Sequence, residues 1–183
     1  MRQITQIVEI NKTSTHIMKM ENMDKQNIQS VLDFWFGKED SEEFGQERMA
    51  WWIKDDGFDT KVRDVLESLY EQAANGDFDH WRREAWSALA LVILLDQVPR
   101  NIFRNSPKSF ATDAMARDVA HHVVNTELDQ AVPVIMRKFY YMPFEHSEDL
   151  AEQELSVKMI DTLKSERLSD YAQQHYVIVE RFG

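Results

Sequence analysis

Five polar side chains capable of chemistry end one apolar stretch, "LALVILLDQVPRNIFR", from Leu89 to Arg104. On a helix, Asp96 and Arg100 stand four residues apart, as do Arg100 and Arg104, while Gln97 and Asn101 form a parallel row. Guanidinium forks match carboxylates and phosphates in two-point contacts. Pro99 has no N–H, so the Leu95 carbonyl loses its usual helical partner, for which Gln97, Asn101 or Arg100 are candidates. Two readings stay open. The polar groups satisfy one another at a kinked helix end. Alternatively they floor a pocket for a small anion, with Arg100 and Arg104 as donors and Gln97 and Asn101 orienting the rest.

A second cluster, Glu145, His146, Glu148 and Asp149, lies in "YYMPFEHSEDLAEQE". Acids here suit the positive N-terminal end of a following helix. The functional alternative makes His146 a general base whose tautomer a neighbouring carboxylate fixes, with Glu145 or Glu148 assisting. A metal site needs three or four converging ligands, and neither HExxH nor a Glu-x-x-His pair occurs, so no metal is expected. Asp118, His121 and His122 read as a solvated helix face. His175 is either a core-edge histidine or a further member of the same pocket. No Gly-rich phosphate loop, serine elbow or dinucleotide fingerprint occurs, and no cofactor is expected.

The bulk composition narrows the partners. The chain has 183 residues with 32 acidic and 21 basic side chains, a net charge of −11. Such a surface repels phosphate backbones and anionic lipid, which argues against nucleic-acid and membrane binding. With no cysteine, disulfides and thiolate chemistry are excluded, and a reducing cytoplasm fits. The longest apolar run, Ala88 to Leu95, is far short of the ~20 residues that span a bilayer. Residues 1–24 lack the apolar core of a signal peptide and read as a flexible leader.

Few turn-formers, 5 Gly and 4 Pro, favour long helices over an all-β fold. Ile28, Val31, Leu32, Trp35 and Phe36 recur at helical spacing, and Gly37 stands where a C-terminal cap belongs. An acidic loop over 38–46 leads to a short helix whose paired Trp51 and Trp52 anchor to the core. Phe58, Val62, Leu66, Leu69 and Ala73 form the next stripe. "AWSALALVILL" is apolar on every face, so other helices must surround it. Thr112 is expected to cap a helix reaching Val124. A helix over 133–142 is expected to stop before Pro143, Ser147 to open another reaching Leu163, and a last one to span Leu168 to Phe182. The outcome is one all-α domain of about seven helices over 25–183, around a buried central helix.

Five segments, "VLDFWFG", "WWIKDDGFD", "LALVILLDQVPRNIFRNSPKSFATD", "KFYYMPFEHSEDLAEQE" and "HYVIVERFG", occur in order over Ile28 to Gly183. In these the chain resembles the DUF924 family, bacterial proteins of unknown function. The resemblance implies a tetratricopeptide-like array of helical hairpins, although the repeat motif itself is missing. It implies no established activity. Its polar signature falls on Asp96, Gln97, Pro99, Arg100, Asn101 and Arg104, then Glu145, His146, Ser147 and Glu148, then His175, Arg181, Phe182 and Gly183. Val98 stands where members usually carry Phe, which implies wider local packing. Members also usually continue past the final Arg-Phe-Gly with another Arg- and His-bearing segment.

The function expected is a binding or scaffold module whose polar pocket takes a small anionic ligand or peptide group on Asp96, Gln97, Arg100, Asn101, Arg104, His175 and Arg181. The alternative is a hydrolase-like enzyme acting on a small anion through His146, Glu145 and Glu148. A joint site requires His146 and Arg100 to lie within about 15 Å, close enough to work through one substrate. The oligomeric state is not legible.

Overall fold

The computed structural model describes residues 2–183 and, within its first helix, side chains from residue 19 onward. The described residues form helices and no strand. Helix α1 is Arg2–Phe36 and α2 is Asp56–Ala74. The rod α3 joins three pieces, Ala85–Val92, a π turn at Ile93–Gln97 and Val98–Ile102. Then follow α4 (Asp113–Asn125), α5 (Val134–Glu145), α6 (Leu150–Asp161) and α7 (Glu166–Phe182). With α3 as one rod these are the seven helices expected. The expected leader, residues 1–24, lies largely outside the described side chains. Its end is helical, and Asp24 Oδ2 sits 2.7 Å from His80 Nε2.

The rod α3 is the centre of the molecule. Each residue from Ala88 to Leu95 is 1 % exposed or less, because α1, α2, α4 and α5 pack around it. Burial of each Leu or Ile there contributes about 1.5–3 kcal/mol. The consecutive pairs α4–α5, α5–α6 and α6–α7 pack on one another and complete the body. No described helix is long and apolar enough to cross a membrane.

Chain breaks follow local chemistry. Gly37 ends α1 at φ +82°, a left-handed conformation that L side chains resist, and its N–H reaches Asp33 O at 3.0 Å. Pro99 does not stop α3. The helix widens instead: the Val98 N–H bonds to Ile93 O across the π turn, so the missing proline donor falls where the register is already shifted. The stranded Leu95 carbonyl is satisfied by Thr112 Oγ1 at 2.5 Å. None of the three expected candidates does this. Thr112 is therefore no side-chain cap for α4.

Two other boundaries differ from expectation. Helix α5 continues through Pro143 to Glu145, because a proline in the last turn forfeits only one backbone bond. Asp149, not Ser147, caps α6, its Oδ1 accepting from Ala151 N at 2.8 Å. Ser147 Oγ accepts from Asp149 N and braces that cap from two residues earlier.

Candidate functional site

The π turn aims Asp96 inward. Its carboxylate is completely buried, and Gln97, His146 and Arg100 surround it with donors. Gln97 Nε2 donates to Asp96 Oδ2 at 2.6 Å, and His146 Nδ1 lies 2.8 Å from Oδ1. Arg100 Nη1 is 3.2 Å from that same Oδ1. Burial pushes the carboxyl up, but the opposing pull of His146 and Arg100, with the His146 and Gln97 hydrogen bonds, holds it below its ordinary value. An ionised Asp96 accepts, so His146 carries its proton on Nδ1 and, when neutral, offers Nε2 as the acceptor. One carboxylate oxygen thus touches both His146 and Arg100, well inside the limit set for a joint site.

The two arginines have internal partners. Arg100 grips Asp113 with both fork nitrogens, Nη1 to Oδ1 at 2.8 Å and Nη2 to Oδ2 at 3.0 Å. It also donates to Asp96 O at 2.8 Å. Arg104 forks onto Asp59, with Nε on Oδ2 and Nη2 at 2.9 Å from Oδ1, and reaches Asn101 Oδ1 at 3.0 Å. Asn101 Nδ2 donates to Gln97 O at 2.9 Å. Asp96, Gln97, Arg100, Asn101, Arg104 and His146 therefore form one chain of contacts that ties α2, α3, α4 and the end of α5 together.

Beside this chain lies a cavity of about 150 Å³ between α5, α6 and α7, roofed by Trp52. Lys138, Met142 and Glu145 line it at helical spacing from α5, with Ile160 from α6 and Arg167, Leu168 and Tyr171 from α7. Met142 joins cavity to network, since Gln97 Nε2 lies 3.7 Å from its sulfur. The half-exposed Tyr171 and the edge of Trp52 rim the mouth.

Lys138 is 2 % exposed, which is rare for a lysine. Its ammonium sits 4.5 Å from the ring centres of both Trp51 and Trp52 and 5.4 Å from that of Phe139. Glu47 Oε1 is 3.4 Å away and is shared with Arg167, whose guanidinium also lies over Trp52. Burial pushes the Lys138 amine down to about 8 despite the pull of Glu47. Glu47 is held below its usual value, because Lys138 and Arg167 outweigh the cost of its burial. One carboxylate thus serves two cations at this end of the cavity.

Glu145 marks the other end. Burial raises its carboxyl above the ordinary range, His175 and His146 pull the other way, and Asp96 reinforces the rise. Its side chain is 13 % exposed, and His175 Nε2 stands 3.7 Å from Oε1. Beyond this ion pair, no hydrogen bond among the described residues reaches the carboxylate. Its backbone carbonyl is held by the buried Gln153, whose Nε2 also binds Ser147 O, so the α5–α6 turn is rigid.

The structure brings together eight of the sequence candidates: Asp96, Gln97, Arg100, Asn101, Arg104, Glu145, His146 and His175. Glu148 and Arg181 are exposed and meet none of them among the described contacts. Asp118 pairs with Arg82, and His121 with Glu152, rather than facing solvent alone. No group of three His, Asp or Glu residues arranged to hold a metal occurs among the described residues. Sequence reasoning missed Lys138, Arg167, Glu47 and the lining role of Trp52. Trp51 does anchor, packing on Phe36 and Phe139. Trp52 instead faces the cations. The available signal was Lys138 itself, set between apolar Ile135 and Met142 on one helical face.

Comparison with known proteins agrees with this architecture. The family described as bacterial protein of unknown function (DUF924) matches residues 31–183. A solved structure of a protein of unknown function from Agrobacterium tumefaciens is similar, with 36% sequence identity and a TM-score of 0.77. The similarity covers 85% of this chain and 84% of that one. No curated protein matches.

Proposed function

This chain belongs to the DUF924 family, and we propose that it is a binding protein whose cavity between α5, α6 and α7 takes a small anionic ligand on Lys138 and Arg167. The observation that carries this reading is the sharing of Glu47 between two cations, one of them buried. A buried ammonium with half a counter-ion is costly, and an anion entering the cavity completes its neutralisation. Arg100 and Arg104 are less suited, because Asp113 and Asp59 already fill their forks. In this reading Asp96, Gln97, Arg100, Asn101 and Arg104 hold the site's wall, and Glu145 and His175 lie at its far end.

Thermal shifts with acetate, hexanoate and phosphate, against chloride at equal ionic strength, test this. An anion at 100 times its Kd adds about 2.7 kcal/mol, which raises the melting temperature of a domain this size by roughly 5–10 °C. The shift should vanish in Lys138→Met and Arg167→Gln. A shift no larger than that of chloride, or one unchanged in both variants, removes the reading.

A second reading, acid–base catalysis on the same ligand, is favoured by the 2.8 Å contact between His146 Nδ1 and the buried Asp96. That contact fixes the ring and leaves Nε2 to move a proton. Hydrolysis of activated carboxylate and phosphate esters, abolished in His146→Gln, is its test. Equal rates in both proteins count against it.

A further inference from the structure

Polarity changes sign along the cavity. Lys138 and Glu145 are two turns apart on α5, so their backbones are separated by roughly 10 Å along the axis at ~1.5 Å per residue. Arg167 joins Lys138 at one end. At the other, Glu145 is mostly buried, lines the cavity and receives no described hydrogen bond. Between them the wall is Met142, Ile160 and Leu168, with the half-exposed Tyr171 at the rim. The Glu145 oxygens open onto the cavity rather than onto protein donors, so an ammonium there would take the place of water against the carboxylate.

Building on the anion reading above, we propose that the ligand is a zwitterion, its acid group on Lys138 and Arg167, its ammonium on Glu145, and an apolar chain between. A simple carboxylate satisfies one end only. A dicarboxylate brings like charge to Glu145, and an amine brings it to Lys138 and Arg167. Only a molecule with both charges answers both ends of the cavity. Burial keeps Glu145 protonated beyond the usual range, so an ammonium arriving there favours release of that proton.

Calorimetric titration of the intact chain with hexanoate, 6-aminohexanoate, adipate and hexylamine separates these cases. We expect 6-aminohexanoate to bind about tenfold to a hundredfold tighter than hexanoate, the range of one charge-assisted hydrogen bond. In Glu145→Gln, checked for native helix content, the two should bind alike. The advantage should also grow as the pH rises and Glu145 ionises. The groups facing Glu145 are His175 on α7, His146 on its own helix end and Asp96 on α3, so the pH series is repeated in Glu145→Gln to subtract them.

Equal binding of hexanoate and 6-aminohexanoate, both lost in Lys138→Met, overturns the zwitterion and leaves the anion site standing. Tighter binding of adipate than of 6-aminohexanoate overturns it too, and makes Glu145 a protonated donor. If no acid binds at all, the anion site falls and the zwitterion falls with it.

Discussion

Lys138 has the stability cost and the proposed role in one side chain. Its amine is pushed down to about 8, whereas an unfolded lysine keeps its ordinary 10.5. Below pH 8 both states are protonated, and the penalty of burying the charge is fully present. Between about 8 and 10.5 the unfolded chain binds more protons, so stability from this group rises with pH. Lys138→Met should therefore be more stable than wild type at pH 7, by about 1 kcal/mol or more, because the buried charge is gone while the part-exposed Glu47 keeps Arg167 as its partner. The gap should narrow as the pH climbs from 8 towards 10; Tyr140 and Tyr141, whose protons burial holds in the folded state, ionise near 10 in the unfolded chain of both proteins alike and so cancel in the difference. Urea titrations of both proteins across that range measure it. An unchanging gap would mean that the charge is not what the substitution removes. Little of this was legible beforehand, because a lysine among aromatics looks the same in sequence whether it lies under Trp52 or in solvent. The Asp96–Arg100 contact was legible, since helical spacing alone brings such groups together.

At the scale of elements, Pro99 is the instructive residue. The sequence correctly marks Leu95 as the carbonyl that loses its donor, but not the group that replaces it. That partner, Thr112, belongs to another helix and arrives only through tertiary packing. The same residue type at a helix start had signalled a cap, so one hydroxyl had two competing uses and the buried carbonyl took it. Thr112→Val keeps the shape but leaves Leu95 O buried and unpaired, at a cost of about 1–3 kcal/mol. Thr112→Ser should keep most of the stability. Chemical denaturation of the two variants checks this, and equal loss in both would assign the effect to packing of the methyl group. The π turn also sets the geometry of the candidate site, for it turns Asp96 away from solvent and onto His146. Periodicity cannot reveal this, because Ala88 to Leu95 are apolar on every face and carry no stripe whose shift would mark the extra residue. Helix number and order, by contrast, follow directly from apolar stripes such as Phe58, Val62 and Leu66.

In the whole molecule, the most enclosed helix and the proposed ligand cavity sit at opposite ends of a gradient of burial. The rod α3 is enclosed on all sides, and its amides should exchange with solvent only on global unfolding. Helix α7 packs on α6 while exposing Tyr171, Val177, Ile178 and Phe182, so its amides should exchange soonest among the described helices α2 to α7. Because Arg167, Leu168 and Tyr171 line the cavity, an anion bound there should slow exchange in the first turns of α7 and around Trp52, and leave α3 unchanged. Slowing confined to α3 and α4 would instead place the ligand at Arg100. The most direct test follows the arginine side-chain Nε–H resonances while hexanoate is titrated into the labelled protein. A saturable shift is expected at Arg167, with Arg100 and Arg104 still locked on Asp113 and Asp59 and unmoved. A saturable shift at Arg100 or Arg104 with Arg167 silent would contradict the proposed anion site.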